Sequence, residues 1–140
     1  MSLEVIVYVL TALAGVVVVL TRLRLRGEEG AGQHKIGTGL LNLHTLAGGV
    51  ALVIWVAFLV AGEDTAVGGA LTGIVALGLW WVAVVAGLLL LLRWLPSRGR
   101  HSTDAREDSW SEGPGLSILA HVGLLVGVLV FTFAYLTAAV

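Results

Sequence analysis

The chain has 140 residues, of which 58% are hydrophobic and 12% charged, and its formal net charge is −1. Soluble domains are about 45–50% apolar and about 25% charged, so this composition excludes an ordinary soluble domain and indicates an integral membrane protein. The sequence has no cysteine, which excludes disulfides, iron–sulfur clusters and covalently attached c-type haem, and no basic tract that would favour nucleic acid.

Four long, uncharged apolar runs follow one another along the chain, and each predicts a membrane-spanning helix. Crossing about 30 Å of hydrocarbon takes about 20 helical residues, and only helices or closed barrels satisfy backbone hydrogen bonds in lipid. The alternation typical of barrel strands is missing, so we expect an all-α, integral membrane four-helix bundle that forms one domain over residues 1–140. The predicted helices cover residues 4–22, 38–62, 66–94 and 114–139, and the first and third loops cover residues 23–37 and 95–113.

The basic residues predict the orientation of this bundle. All eight lie in or beside the first and third loops, as Arg22, Arg24, Arg26, Lys35, Arg93, Arg98, Arg100 and Arg106. The second loop holds Glu63 and Asp64 and no base. By the positive-inside rule, we expect loops one and three in the cytoplasm and both termini outside, in a cytoplasmic membrane of bacterial type.

The chain also contains an apparent internal repeat. Leu13–Gly27 aligns with Val85–Gly99 at a constant offset of 72 residues, which places Gly15 on Gly87. With a short loop insertion, the apolar segments that follow these two stretches also align. The alignment predicts one helix hairpin used twice in the same orientation, with a pseudo-two-fold axis along the membrane normal.

Two histidines lie inside predicted spans at nearly the same depth. His44 follows the charge of Lys35 by nine residues, and His121 follows that of Glu112 by nine residues. An imidazole in hydrocarbon costs free energy unless it has a partner, so such residues indicate a functional site. We therefore expect the two rings to meet near the cytoplasmic side.

The side chains available at this depth favour haem over other metal centres. Zinc prefers four ligands, and an iron–carboxylate site needs acids, whereas these two spans offer two imidazoles and no carboxylate. A b-type haem needs two axial imidazoles, apolar walls and small residues at its edges. Gly15, Gly48 and Gly87 are expected to leave that room, although small residues in membrane helices also serve close packing. Each imidazole N–H is expected to bond a backbone carbonyl one turn earlier, near Leu40 or Ser117.

On these features the chain resembles the small four-helix b-type membrane cytochromes. The resemblance covers all four spans and rests on HTLAGG at His44, on HVG at His121 and on the duplicated hairpin. It implies haem b with these two axial ligands, and single-electron transfer between a membrane quinol and a cytoplasmic-side or subunit partner, while the residues themselves provide for one haem per chain. Family members that move electrons across the membrane carry a second histidine pair near the other face, which this sequence lacks. Arg22 and Arg93 are candidates for binding haem propionates, beside their role in topology.

Other interpretations stay open at this point. In one, the chain is an accessory or assembly subunit of a membrane complex and its histidines only pack helices; in another, it is a carrier, transporter or sensor that binds haem or a metal reversibly. His34 and His101 are either solvated loop residues or groups over the haem edge. A homodimer could form through small-residue faces such as Gly69–Gly73. No constellation for hydrolysis or group transfer is visible, which favours an electron-transfer protein over a stand-alone enzyme.

Overall fold

The computed structural model describes the backbone of residues 1–27, 38–94 and 114–140, and the side chains of residues 1–19, 39–92 and 118–140. Four α-helices make up most of these ranges, which contain no strand, so the all-α prediction is confirmed. They are α1 (Leu3–Gly27), α2 (Thr38–Val60), α3 (Ala70–Trp94) and α4 (Pro114–Leu136). The predicted loops over 28–37 and 95–113 lie outside the described residues.

Apolar length marks the protein as membrane-integral. Within the described ranges, three segments are long and apolar enough to span a bilayer: Gly39–Val60, Ala70–Leu92 and Ile118–Leu136, with mean hydropathies of 2.2, 2.6 and 2.2. The apolar part of α1, Leu3–Val19, is shorter, and at 1.5 Å per residue it measures about 25 Å. That length is at the lower limit for a span, so the membrane span of α1 stays a prediction.

The turn between α2 and α3 delays the start of α3 by four residues relative to the prediction. The Thr65 backbone N–H donates to the Gly62 carbonyl at 2.9 Å, and the Gly68 N–H donates to the Thr65 hydroxyl at 3.0 Å. A Cβ on Gly68 would collide with the Gly62 carbonyl oxygen, so glycine permits this close turn. The helix therefore begins only at Ala70.

Helix α1 differs from the prediction at its other end, because it continues through the basic stretch to Gly27 instead of ending at residue 22. Leucine and arginine are good helix formers, and positive charge is favourable at a helix C-terminus. The first five residues of the predicted first loop are therefore helical.

The four helices surround a common axis in chain order. Helix α2 packs on α1 and α3, and α4 packs on α3 and α1. The α2–α3 interface, which joins the two predicted hairpins, is the most extensive. Within the hairpins, α1 and α2 pack over a smaller interface than α3 and α4, so the two hairpins do not pack alike. In this arrangement α2 and α4 stand diagonally across the bundle.

Aromatic side chains fill the half of the bundle nearest the α2–α3 turn. Trp55, Trp80 and Phe131 are almost completely buried, and the Trp55 and Phe131 ring centroids lie 5.0 Å apart. Phe58 and Tyr135 extend this cluster toward the turn, with centroids 6.0 Å apart. Packing of this kind leaves little space for a cofactor in this half.

The small-residue face proposed for a homodimer is occupied within the chain. A Cβ on Gly73 would lie 3.1 Å from Tyr135 Cδ2 and 3.2 Å from Phe58 Cε2. The expectation that Gly69–Gly73 is available to a second chain is therefore wrong, because Gly73 admits two aromatic rings of its own bundle.

Candidate cofactor site

His44 and His121 bring their rings together inside the bundle. The ring centroids are 5.8 Å apart and the ring planes differ by 24°. His44 lies six residues into α2 and His121 seven residues into α4, so both rings lie at the same end of the bundle, away from the aromatic cluster. Because α2 and α4 stand diagonally across the bundle, the two rings meet across its axis.

The His44 ring is held by helix α3. Its Nδ1 lies 2.9 Å from the Ala83 carbonyl oxygen, and because a carbonyl only accepts, Nδ1 carries the proton. The acceptor predicted for His44, near Leu40 on its own helix, is wrong. The close α2–α3 packing explains the difference, since a Cβ on Gly48 would stand only 3.7 Å from the Ala83 Cβ. The side chain of Ser117, the other predicted position, lies outside the described residues.

Gly87 of α3 touches both rings. A Cβ built there would lie 2.8 Å from His121 Cδ2, 2.9 Å from His44 Cε1 and 3.2 Å from His44 Nδ1. Two of these distances are shorter than side-chain carbons normally approach, so the position must be glycine for the rings to stand as they do. The structure thus places Gly87 beside the histidine pair, where the sequence predicts a small residue.

Gly48 lies one turn beyond His44 on α2 and packs against α3. Its role here is close helix contact, because the nearest atom to its missing Cβ belongs to Ala83 and not to either ring. It supports the position of His44 without touching the space between the rings.

Gly15 does not reach the pair, so the expectation that it leaves room beside the two rings is wrong. Trp55 donates its indole N–H to the Thr11 hydroxyl at 3.2 Å, and Tyr8 donates to the Leu59 carbonyl at 3.2 Å. These antiparallel contacts place Gly15 opposite Ala51, seven residues or about 10 Å from the level of His44.

Gly15 instead lines a groove of about 350 Å³ between α1 and α2, and its missing Cβ would meet no atom within 4 Å. The sequence alignment with Gly87 could not reveal this shift, because repeats of Val, Leu and Gly do not encode the register between helices.

The remaining predicted site residues are only partly described. The backbone of Arg22 belongs to α1 and that of Arg93 to α3, while both side chains lie outside the described residues. His34 and His101 lie outside them entirely. Their predicted contacts with a cofactor stay predictions.

The donor set at the pair fits a metal with two axial imidazoles. Among the described residues, no group of three or more His, Cys, Asp or Glu side chains comes together. Two opposed imidazoles on one metal, with bonds of about 2 Å, place their ring centres roughly 6 Å apart. The observed separation of 5.8 Å is close to that value. Among the described residues the pair therefore supplies two imidazoles, which is the axial donor set of a b-type haem, and not the four ligands that zinc prefers.

Comparison with protein-family models, with curated proteins and with solved structures finds no match for this chain. The functional interpretation therefore comes from the chain's own residues.

Proposed function

We propose that this chain is an integral membrane b-type haem protein that passes single electrons. His44 and His121 would be the axial ligands of one haem per chain. The observation that carries this proposal is the meeting of two imidazole rings, 5.8 Å apart, from diagonal helices of a membrane bundle. Ionisable residues inside membrane spans are costly and are kept mainly where they have a function.

The chain's own residues would prepare this site. The Ala83 carbonyl holds the proton of His44 at Nδ1, so the Nε2 of the neutral ring keeps its lone pair for a metal. Gly87 lets α3 approach both rings. A bound haem would supply the one-electron couple, and the apolar bundle would exclude water and tune its potential.

The aromatic cluster limits the proposal to one haem. Trp55, Trp80 and Phe131 fill the other half of the bundle, where the sequence also has no histidine. A single site near one face suits exchange of electrons with a lipid-soluble carrier at that face. We propose a membrane quinol for that carrier, and a cytoplasmic-side or subunit protein as the other partner.

The orientation of the bundle in the membrane and the role of two arginines are also proposals. The positive-inside rule assigns the histidine end to the cytoplasm, because the basic residues flank that end of the helices. Arg22 and Arg93 would then stand near the haem edge, where guanidinium groups pair well with carboxylates.

The test is an optical one. Detergent-purified full-length protein is oxidised, then reduced with dithionite, and its haem is counted as the pyridine haemochrome. We expect sharp α and β bands and about one haem per chain, as six-coordinate bis-imidazole iron gives. A colourless protein that added haem does not reconstitute would overturn the proposal.

A second candidate has an observation in its favour. The His44–Ala83 hydrogen bond already joins α2 to α3, so the histidines could serve as helix packing in an accessory subunit. Interhelical hydrogen bonds in membranes contribute about 0.6 kcal/mol on average. This candidate predicts a colourless protein that depends on a partner chain, and the same spectrum separates it from the first.

A further inference from the structure

We propose that Gly87 is a positioning residue that sets the tautomer of His44. Its missing Cβ opens the Ala83 carbonyl to the His44 ring, which fixes the proton on Nδ1 and presents Nε2. The inference rests on the proposed function, because an unprotonated Nε2 on His44 has a role only if a metal binds there.

The Ala83 carbonyl has one acceptor position to spare. In a continuous α-helix this oxygen accepts the N–H of the residue four positions later, which is Gly87. A carbonyl oxygen has two lone pairs, so it can accept a second hydrogen bond from outside the helix. His44 provides it at 2.9 Å.

Access to that second lone pair depends on residue 87. A Cβ there would lie 3.2 Å from the donating Nδ1 and 2.9 Å from the adjacent Cε1 of His44. The ring would have to turn away from the carbonyl to relieve this contact. Alanine at position 87 should therefore break the bond while favouring the α3 helix itself.

The hydrogen bond decides which nitrogen can bind a metal. A neutral imidazole has one N–H, and ligating histidines usually donate it to a carbonyl or carboxylate that fixes the tautomer. With Nδ1 engaged by Ala83, the lone pair is at Nε2 before any metal arrives. Without that bond, the proton is free to move to Nε2 and block the ligand position.

The chain offers a matched control in Gly15. The sequence alignment pairs it with Gly87, yet its Cβ would meet no atom within 4 Å. The changes Gly15→Ala and Gly87→Ala therefore add the same methyl group to the same kind of helix. Only one of them touches the histidine pair.

The experiment is nitrogen NMR of the haem-free, full-length chain labelled at histidine, in detergent at a pH where imidazoles are neutral. The His44 signals are assigned from their loss in His44→Gln. We expect a protonated Nδ1 and an unprotonated Nε2 in the parent and in Gly15→Ala, and loss of this pattern in Gly87→Ala. An unchanged His44 pattern in Gly87→Ala, or an equal loss in Gly15→Ala, would overturn the proposal.

A second pair of variants decides the matter if Gly87→Ala does not fold. Gly48→Ala adds a methyl group in ordinary contact with Ala83, whereas Gly48→Val adds bulk that pushes α2 away from α3. We expect the Nδ1–H pattern to persist in Gly48→Ala and to weaken in Gly48→Val. Persistence in Gly48→Val would contradict the assigned role of the Ala83 carbonyl.

Haem titration of the parent chain separates this proposal from the proposed function. A parent that shows the Nδ1–H pattern but takes up no haem refutes the cytochrome and leaves the positioning role standing. A parent that binds haem but shows no fixed tautomer refutes the positioning role alone.

Discussion

Trp55 on α2 donates its buried indole N–H to the hydroxyl of Thr11 on α1, over 3.2 Å. Thr11 in turn donates to the Val7 carbonyl of its own helix at 2.8 Å, so its hydroxyl accepts from α2 while it donates within α1. Trp81 and Thr132 repeat the arrangement between α3 and α4, also at 3.2 Å. These bonds fix how far one helix is shifted along the next.

Replacing Thr11 by valine should lower the stability of the bundle by about 1 kcal/mol, because a buried donor without its acceptor costs about 1–3 kcal/mol. We expect the lower end of this range, because interhelical hydrogen bonds contribute less free energy in membranes. Thermal unfolding followed by circular dichroism in detergent measures the change. Thr137→Val is the control, since Thr137 bonds only carbonyls of its own helix end. Equal unfolding temperatures for the two variants would contradict the role of Thr11.

Alanine should destabilise the bundle at Gly73 of α3 but not at Gly78 of the same helix. A Cβ on Gly73 would press on the rings of Tyr135 and Phe58, whereas one on Gly78 would meet no atom within 4 Å. Overpacking typically costs about 1–3 kcal/mol, while Gly→Ala in an open helical position gains up to about 1 kcal/mol. We expect Gly73→Ala to lower the unfolding temperature and Gly78→Ala to maintain or raise it. Loss of stability in Gly78→Ala but not in Gly73→Ala would contradict the open surroundings of Gly78 and the close packing of Gly73.

The C-terminal end of α4 offers a stabilising change. Ala138 has φ of 52°, its N–H donates to the Tyr135 carbonyl at 3.1 Å, and the Ala139 N–H donates to the Ala134 carbonyl at 2.9 Å. This is a Schellman motif with alanine at the position that glycine favours. Because the left-handed conformation costs a residue with a Cβ about 1–2 kcal/mol, Ala138→Gly should raise stability by up to about 1 kcal/mol. The reverse control, Ala134→Gly inside the helix, should lower it.

The fold was predictable from the sequence where composition alone decides the structure. Uncharged apolar runs predict helices in lipid, and the all-α bundle follows from them. The boundary at Ala70 was missed because the Thr65 turn depends on a side-chain hydrogen bond that apolar patterning does not reveal.

The candidate site was predictable only where it depends on position along a single helix. Depth in the membrane can be counted from flanking charges, so the meeting of His44 and His121 could be expected from the sequence. The expected place of Gly15 beside the two rings was wrong, and the carbonyl partner of His44 was missed. Both depend on the relative shift of neighbouring helices, which the Trp55–Thr11 bond and the Gly48–Ala83 contact set in three dimensions.

The measurement that tests the central claim most directly is the haem content of histidine variants, counted per chain as the pyridine haemochrome. The double variant His44→Ala/His121→Ala is compared with His34→Ala/His101→Ala, which removes the same number of imidazoles from the two predicted loops. We expect the first to lose haem entirely and the second to keep about one haem per chain, with unchanged α and β bands. Full occupancy in His44→Ala/His121→Ala would contradict the assignment of these two residues as the haem ligands.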